Sequence, residues 1–217
     1  MTKNPLRRWF GRNESVTELG ARQSKKEEND ANTGNHSSGG DTGPTIRALK
    51  GDIASQGCDV VVNAANERLG NGAGVAGAII KAAGPGLLRE CADRYLDGCP
   101  TGEARVTGGH DLPAKWIVHT VGPRWRRGGT NGEPELLADC YRNSLQAAAE
   151  IGARTVAFPA ISTGIFHYPR EDAARVAVST IREFLAQSDH GINEVILVAY
   201  DSEQLPIYER LLETEMD

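Results

Sequence analysis

Asp59-Val60-Val61-Val62-Asn63-Ala64-Ala65-Asn66, followed shortly by Gly70-Asn71-Gly72-Ala73-Gly74-Val75, is the stretch from which the fold can be read. An unbroken valine run, with no polar alternation, suits a strand buried on both faces, the condition of parallel sheets. The small residues that follow lead into a helical pattern from about Val75 to Ala83, which Pro85-Gly86 interrupts before a second helical stretch to about Tyr95. Strand, loop and helix in that order form one unit of an α/β fold.

The same alternation extends in both directions. Strands are expected at Ile46–Leu49, Ala104–Thr107, Trp116–Val121, Thr155–Pro159 and Glu194–Tyr200. A helix opens at Pro134 and runs to Ile151, where Gly152 closes it; others span Glu171–Gln187 and start from about Ser202. Strands alternating with helices imply a mostly parallel sheet covered on both sides, with ligands at the carboxyl ends of its strands. Residues 1–44 are different: polar, and ending in Asn35-His36-Ser37-Ser38-Gly39-Gly40, they bury too little apolar surface to offset the entropy of ordering. They read as a disordered tail and linker with a basic, solvated start around Trp9 and Phe10, and residues 45–217 as the folded domain.

Composition narrows the function. A net charge of −5 and a pI near 5.6 argue against an extended nucleic-acid surface. No apolar run reaches the ~18–20 residues that cross a bilayer, so no membrane association is expected. Cys58, Cys91, Cys99 and Cys140 show neither CxxC nor zinc-type spacing, and fit reduced, buried thiols in a cytoplasmic protein. No spacing implies a metal or a redox cofactor.

Three segments leave expected strand ends: Gly51-Asp52-Ile53, the Asn63–Val75 loop, and Pro159-Ala160-Ile161-Ser162-Thr163-Gly164-Ile165-Phe166. Gly72, Ala73 and Gly74 allow close approach of backbone to ligand, and the helix behind them turns free N–H groups toward an anion. Ser162-Thr163-Gly164 repeats the arrangement with hydroxyls added. Two such loops face to face would hold a diphosphate without a lysine. Neither GxxxxGK[ST] nor GxGxxG is present, and on spacing alone plain glycine turns explain the loops equally well. His119 ends an apolar strand and reads as a satisfied core histidine.

Five segments together resemble the macro domain family: Gly51-Asp52-Ile53, Asn63-Ala64-Ala65-Asn66, the Gly72–Val75 loop, His119-Thr120-Val121-Gly122-Pro123 and Ala157–Phe166. They come in that family's order and spacing over roughly Ile46 to Leu212. Pro100-Thr101-Gly102-Glu103-Ala104 and Tyr168-Pro169 resemble the branch of ADP-ribosyl hydrolases and O-acetyl-ADP-ribose deacetylases. The resemblance implies a three-layer α-β-α domain around a mixed, mostly parallel sheet, with ADP-ribose or an ADP-ribosylated protein as partner. It implies that Asp52 accepts from the adenine amine beside the Ile53 backbone, and that Tyr200 stacks on the base. Gly72, Ala73, Gly74, Val75, Ser162, Thr163, Gly164 and Ile165 would cradle the diphosphate. Phe166 would pack on the distal ribose, which Asn66 holds and aligns for catalysis. From the residues alone, Asp52 is equally a turn cap, Asn66 a turn residue, and the aromatics core.

One departure bears on turnover. Where many hydrolases of that branch carry aspartate, this chain has Ala76, and Ile80 stands where some carry histidine. Resembling viral relatives also carry alanine there and still remove ADP-ribose. Two functions therefore stay open: a hydrolase of mono-ADP-ribosyl esters and O-acetyl-ADP-ribose acting through positioned water, and a non-catalytic ADP-ribose reader. The intact second loop and the hydrolase-like segments favour the hydrolase.

Overall fold

The computed structural model describes Trp9, residues 43–126 and residues 128–214. Six strands form one sheet: β1 (Thr45–Lys50), β2 (Val60–Ala64), β3 (Ala104–Gly108), β4 (Trp116–Thr120), β5 (Thr155–Pro159) and β6 (Glu194–Ala199). Their order is β1-β6-β5-β2-β4-β3, parallel throughout except for the antiparallel β3–β4 pair at one end. Five helices cover it: α1 (Gly74–Ala83), α2 (Pro85–Arg94), α3 (Glu133–Glu150), α4 (Arg170–Leu185) and α5 (Gln204–Glu213). The three-layer, mixed and mostly parallel architecture expected from the sequence is the one found.

Alternate residues of the same strands feed two separate cores. Val60, Val62, Val118, Val156 and Phe158 point to the layer of α3 and α4, with Tyr141, Ile181 and Tyr208. Val61, Ile117, Ala157 and Ile196 point to the layer of α1 and α2, with Ile79 and Leu87. This explains the unbroken valine run, since both faces of β2 lie under helices. Gly84, at φ +77°, ends α1 with its N–H on the Ile80 carbonyl, and Pro85 starts α2 at once. All four cysteines are free and buried, and burial pushes the Cys91, Cys99 and Cys140 thiols up to about 12. No helix among the described residues is long and apolar enough to cross a membrane.

The tail expected over residues 1–44 lies outside the described residues, save Trp9 and residues 43–44. At Trp9 the expectation of a solvated terminus needs correcting. Its side chain is fully buried in the α3–α4 core, and its Nε1 donates to Glu150 Oε2 at 2.7 Å. Its carbonyl lies 2.8 Å from the Tyr95 hydroxyl, which accepts from the Val106 N–H at 3.1 Å. A lone indole meets its polar requirement only when its N–H finds an acceptor, and Glu150 supplies one. Beside it on β3, the Gly108 N–H donates to the Glu90 carboxylate at 3.3 Å.

His119 is a core residue, as expected. The Asn63 amide nitrogen, which can only donate, lies 3.1 Å from its Nδ1, so Nε2 carries the proton and donates to Thr107 Oγ1 at 2.9 Å. Burial pushes its pKa down to about 4.

Two outcomes follow from this packing. Trp9→Ala should lower unfolding free energy by about 3 kcal/mol in denaturant titrations, as core Trp→Ala changes do; a solvated residue would stay within about 0.5 kcal/mol. The second concerns pH. A histidine whose folded pKa lies below its unfolded value near 6.5 takes up its proton more readily when unfolded. Its stability contribution is therefore intact above pH 6.5 and declines as pH falls toward about 4. Thermal melts across that window should show a shallower decline for His119→Gln than for the native chain.

Candidate functional site

Parallel pairing of β2 with β5, Val60 beside Val156 and Val61 beside Ala157, brings the loops after both strands to the same edge of the sheet. A continuous groove runs there in three compartments of about 320, 230 and 740 Å³. The first and second share Gly74, Val75, Ala160 and Gly164; the second and third share Asn66, Gly122, Arg124 and Phe166. All the residues singled out from the sequence line this groove. Those of the two loops line the middle, save Thr163, which with Asp52, Ile53 and Tyr200 lines the first compartment, and Asn66 and Phe166 stand at the joint to the third.

The middle compartment is built from backbone. Ala73 at the N-cap of α1 offers no side-chain hydrogen bond, so the first-turn amides, which have no partner inside the helix, stay open. Gly74 sits at φ +59°, the left-handed region that glycine enters without strain. A Cβ on Gly72 would come within 2.7 Å of the Ala76 methyl, so loop and helix touch without room for a side chain. Opposite, Ser162 adopts φ +66°, unusual for a residue with a side chain and costing of order 1 kcal/mol. Its carbonyl accepts from the Tyr168 N–H at 3.0 Å, and the Gly164 carbonyl from the His167 N–H at 2.9 Å. Among the described residues, the amides of Ser162 to Phe166 donate to no protein acceptor, and the buried Ser162 hydroxyl has no partner either. Gly122 presses against it: a Cβ there would lie 2.1 Å from Ser162 Oγ.

In the first compartment, Asp52 is exposed and caps the short 3-10 turn Ile53–Ser55 through Oδ1, which accepts from the Ala54 N–H at 2.9 Å. Capping occupies one carboxylate oxygen, so both roles considered for Asp52 are compatible. Tyr200 presents a ring 82% exposed just beyond β6. Three residues of this compartment gave no sequence signal. Arg170 clasps Asp201 with contacts of 2.8 and 2.9 Å, and this hydrogen-bonded guanidinium holds the Asp201 carboxyl below the usual range. Asp201 also caps α5 by accepting from the Gln204 N–H at 3.0 Å. Gln204 is buried, with both side-chain amide atoms unpartnered among the described residues. Only its place at a helix start after a strand could have drawn attention to it.

Asn66 is more constrained than a lone ligand residue. Its Nδ2 donates to the Gly70 and Asn71 carbonyls at 3.2 and 3.0 Å, and its Oδ1 accepts from the Arg68 and Gly70 amides at 3.1 and 3.3 Å. The side chain therefore holds the shape of the loop between β2 and α1. Phe166, at the same joint, is covered by the Arg124 guanidinium 4.2 Å from its ring centroid. Of the residues lining the middle compartment, Arg124 alone is ionisable; His119 stays in the core. Among the described residues, no cluster of histidine, cysteine, aspartate or glutamate could hold a metal ion.

Comparison with known proteins agrees with this geometry. A family model described as "Macro domain" matches residues 62–177. The chain is 53% identical to "Macro domain-containing protein CT2219" of Chlorobaculum tepidum, over 77% of this chain and 95% of that protein. It is 51% identical to the "O-acetyl-ADP-ribose deacetylase" of Escherichia coli (strain K12), over 79% and 97%. Among solved structures, the Oceanobacillus iheyensis macrodomain with ADP superimposes at a TM-score of 0.74 with 40% identity, covering 78% of this chain and 90% of that one. The Trypanosoma brucei macrodomain in complex with ADP-ribose gives 0.70 and 39%, covering 76% and 68%. Matched from the valine strand through the second glycine loop and into α4, and aligned along nearly the whole of its curated relatives, the chain belongs to the macro domain family.

Proposed function

We propose that this chain binds ADP-ribose along the groove and hydrolyses esters attached at its distal ribose, both O-acetyl-ADP-ribose and mono-ADP-ribosylated acidic side chains. One observation carries the reading: two sets of backbone amides lining one compartment, with the Ser162 hydroxyl of the second loop, lack protein acceptors. Open amides at a helix start and in a tight loop attract anions, and a diphosphate is the ligand that would take up this many at once. The names of the Escherichia coli and Trypanosoma brucei relatives point the same way.

In this reading the adenine lies in the first compartment, stacked on Tyr200, with its amine donating to the free oxygen of Asp52. The unpartnered amide of Gln204 offers a donor and an acceptor to the same base. The diphosphate spans from the α1 amides to those of Ser162–Ile165. The distal ribose then reaches Asn66 and Phe166.

No carboxylate lines the middle compartment to act as general base. Water is instead held between the ligand's own phosphate and the loop amides, and attacks the anomeric carbon. The bond from that carbon to the ester oxygen breaks, the carboxylate departs, and the proton lost by water passes to phosphate or to the leaving carboxylate. Acetyl ester cleavage follows the same plan with water attacking the carbonyl carbon. Positioning supplies the acceleration. Asn66 contributes by fixing its loop, and meets the ribose by exchanging one loop hydrogen bond for a ribose hydroxyl. The same lack of an ionisable base favours a second reading, a non-catalytic ADP-ribose reader.

Gly164 gives a clean test of binding, because a Cβ built on it meets no atom within 4 Å. Gly164→Val should keep the native melting temperature and lose ADP-ribose binding by calorimetry; undiminished affinity would sink the two-loop arrangement. For turnover, the native chain should release acetate from O-acetyl-ADP-ribose and free ADP-ribose from a glutamate-modified protein. Asn66→Ala should slow both at least about tenfold while the domain stays folded, the scale of a lost positioning contact. Binding without any release in the native chain would establish the reader.

A further inference from the structure

The third compartment is the largest at about 740 Å³, against about 320 and 230 Å³ for the two that would hold adenosine and diphosphate. Such a volume accommodates a sizeable ligand, far beyond an acetyl group. Its charge is also unlike the rest of the molecule. Arg68, Arg124 and Arg126 line it, on a chain whose net charge is −5.

The backbone that carries those arginines is anchored. The Trp125 N–H donates to the Phe166 carbonyl at 2.8 Å, and its ring packs on Tyr168 at 4.4 Å. This fixes the segment on which Arg124 and Arg126 flank the anchored tryptophan. Arg68 faces them from the loop that Asn66 shapes. Among the described residues, none of the three guanidiniums is in an ion pair. The two carboxylates present are already engaged: Glu67 accepts from the Thr101 hydroxyl at 3.3 Å, and Glu133 from the Asn131 N–H at 2.7 Å. Three guanidiniums against two carboxylates leave the chamber net positive, and among the described residues neither carboxylate is paired with an arginine.

We propose that this chamber receives the polypeptide that carries the ADP-ribose, and selects acidic residues flanking the modified side chain. The inference rests on the reading that the distal ribose lies at Asn66, which opens directly into the chamber. Glu67 and Glu133, with Asn131 and Thr101 beside them, suit a peptide backbone that both donates and accepts. Arg124 covers one face of the Phe166 ring and the proposed distal ribose takes the other, which leaves no face for base stacking.

The test is calorimetry on the full chain with three synthetic peptides, each mono-ADP-ribosylated on one glutamate and flanked by aspartates, uncharged residues or lysines. Affinity is the readout, so it does not depend on turnover. Aspartate flanks should bind about fivefold tighter than uncharged ones, the effect of two screened ion pairs, and lysine flanks more weakly. The advantage should shrink between about 50 and about 500 mM salt, where the Debye length falls well below 10 Å. In the double variant Arg68→Ala/Arg126→Ala the advantage should fall below about twofold while affinity for free ADP-ribose is kept. Equal affinity for all three peptides, with free ADP-ribose still bound, would overturn the inference and leave the proposed function standing. A preference that survives in the double variant, or displacement of the aspartate peptide by a single-stranded oligonucleotide, would also overturn it. Failure to bind free ADP-ribose would remove the reading beneath it.

Discussion

The site depends on one pairing, that of β2 with β5 in parallel. Because the strands run the same way, both chains leave the sheet at one edge, and both must turn there before entering a helix. Each turn leaves amides without partners: at α1 because Ala73 provides no cap, and at the second loop because Ser162 takes a left-handed conformation. A groove with open backbone donors on two sides is prepared for a multiply charged acceptor. The acidity of the whole chain does not oppose this, since backbone dipoles rather than side-chain charges do the binding.

Much of this could be read from the residues. The valine run needed cover on both faces, and the six strands and five helices fall within a residue or two of where pattern placed them. Gly72, Gly74 and the Ser162–Gly164 loop were visible because small residues and missing caps have local causes. What escaped has no local cause. Trp9 stands among polar and basic residues, and only the acceptor on Glu150, far along the chain, makes its burial reasonable. The Arg170–Asp201 clasp and the orphaned amide of Gln204 join segments that periodicity treats separately. The chamber arginines belong to loops, whose course depends on an aromatic contact between Trp125 and Tyr168.

Asn66 and Ala76 show how loop architecture and chemistry are linked. The Ala76 methyl packs against the position where Gly72 has no side chain, so the start of α1 and the loop that Asn66 fixes meet closely. The middle compartment thus gives up an ionisable group and keeps a tightly shaped wall. In the reaction proposed above, rate enhancement comes from geometry and from the substrate's own phosphate.

The hydrogen bonds along β3 have a further consequence. This strand ends the sheet, and its outward amides at Val106 and Gly108 would otherwise offer a template to a strand from another chain. The Tyr95 hydroxyl, from the C-cap of α2, occupies the first, and the Glu90 carboxylate, from within α2, the second. The helix closes the ladder that it packs against. Pairing of another strand through these two amides is thereby blocked.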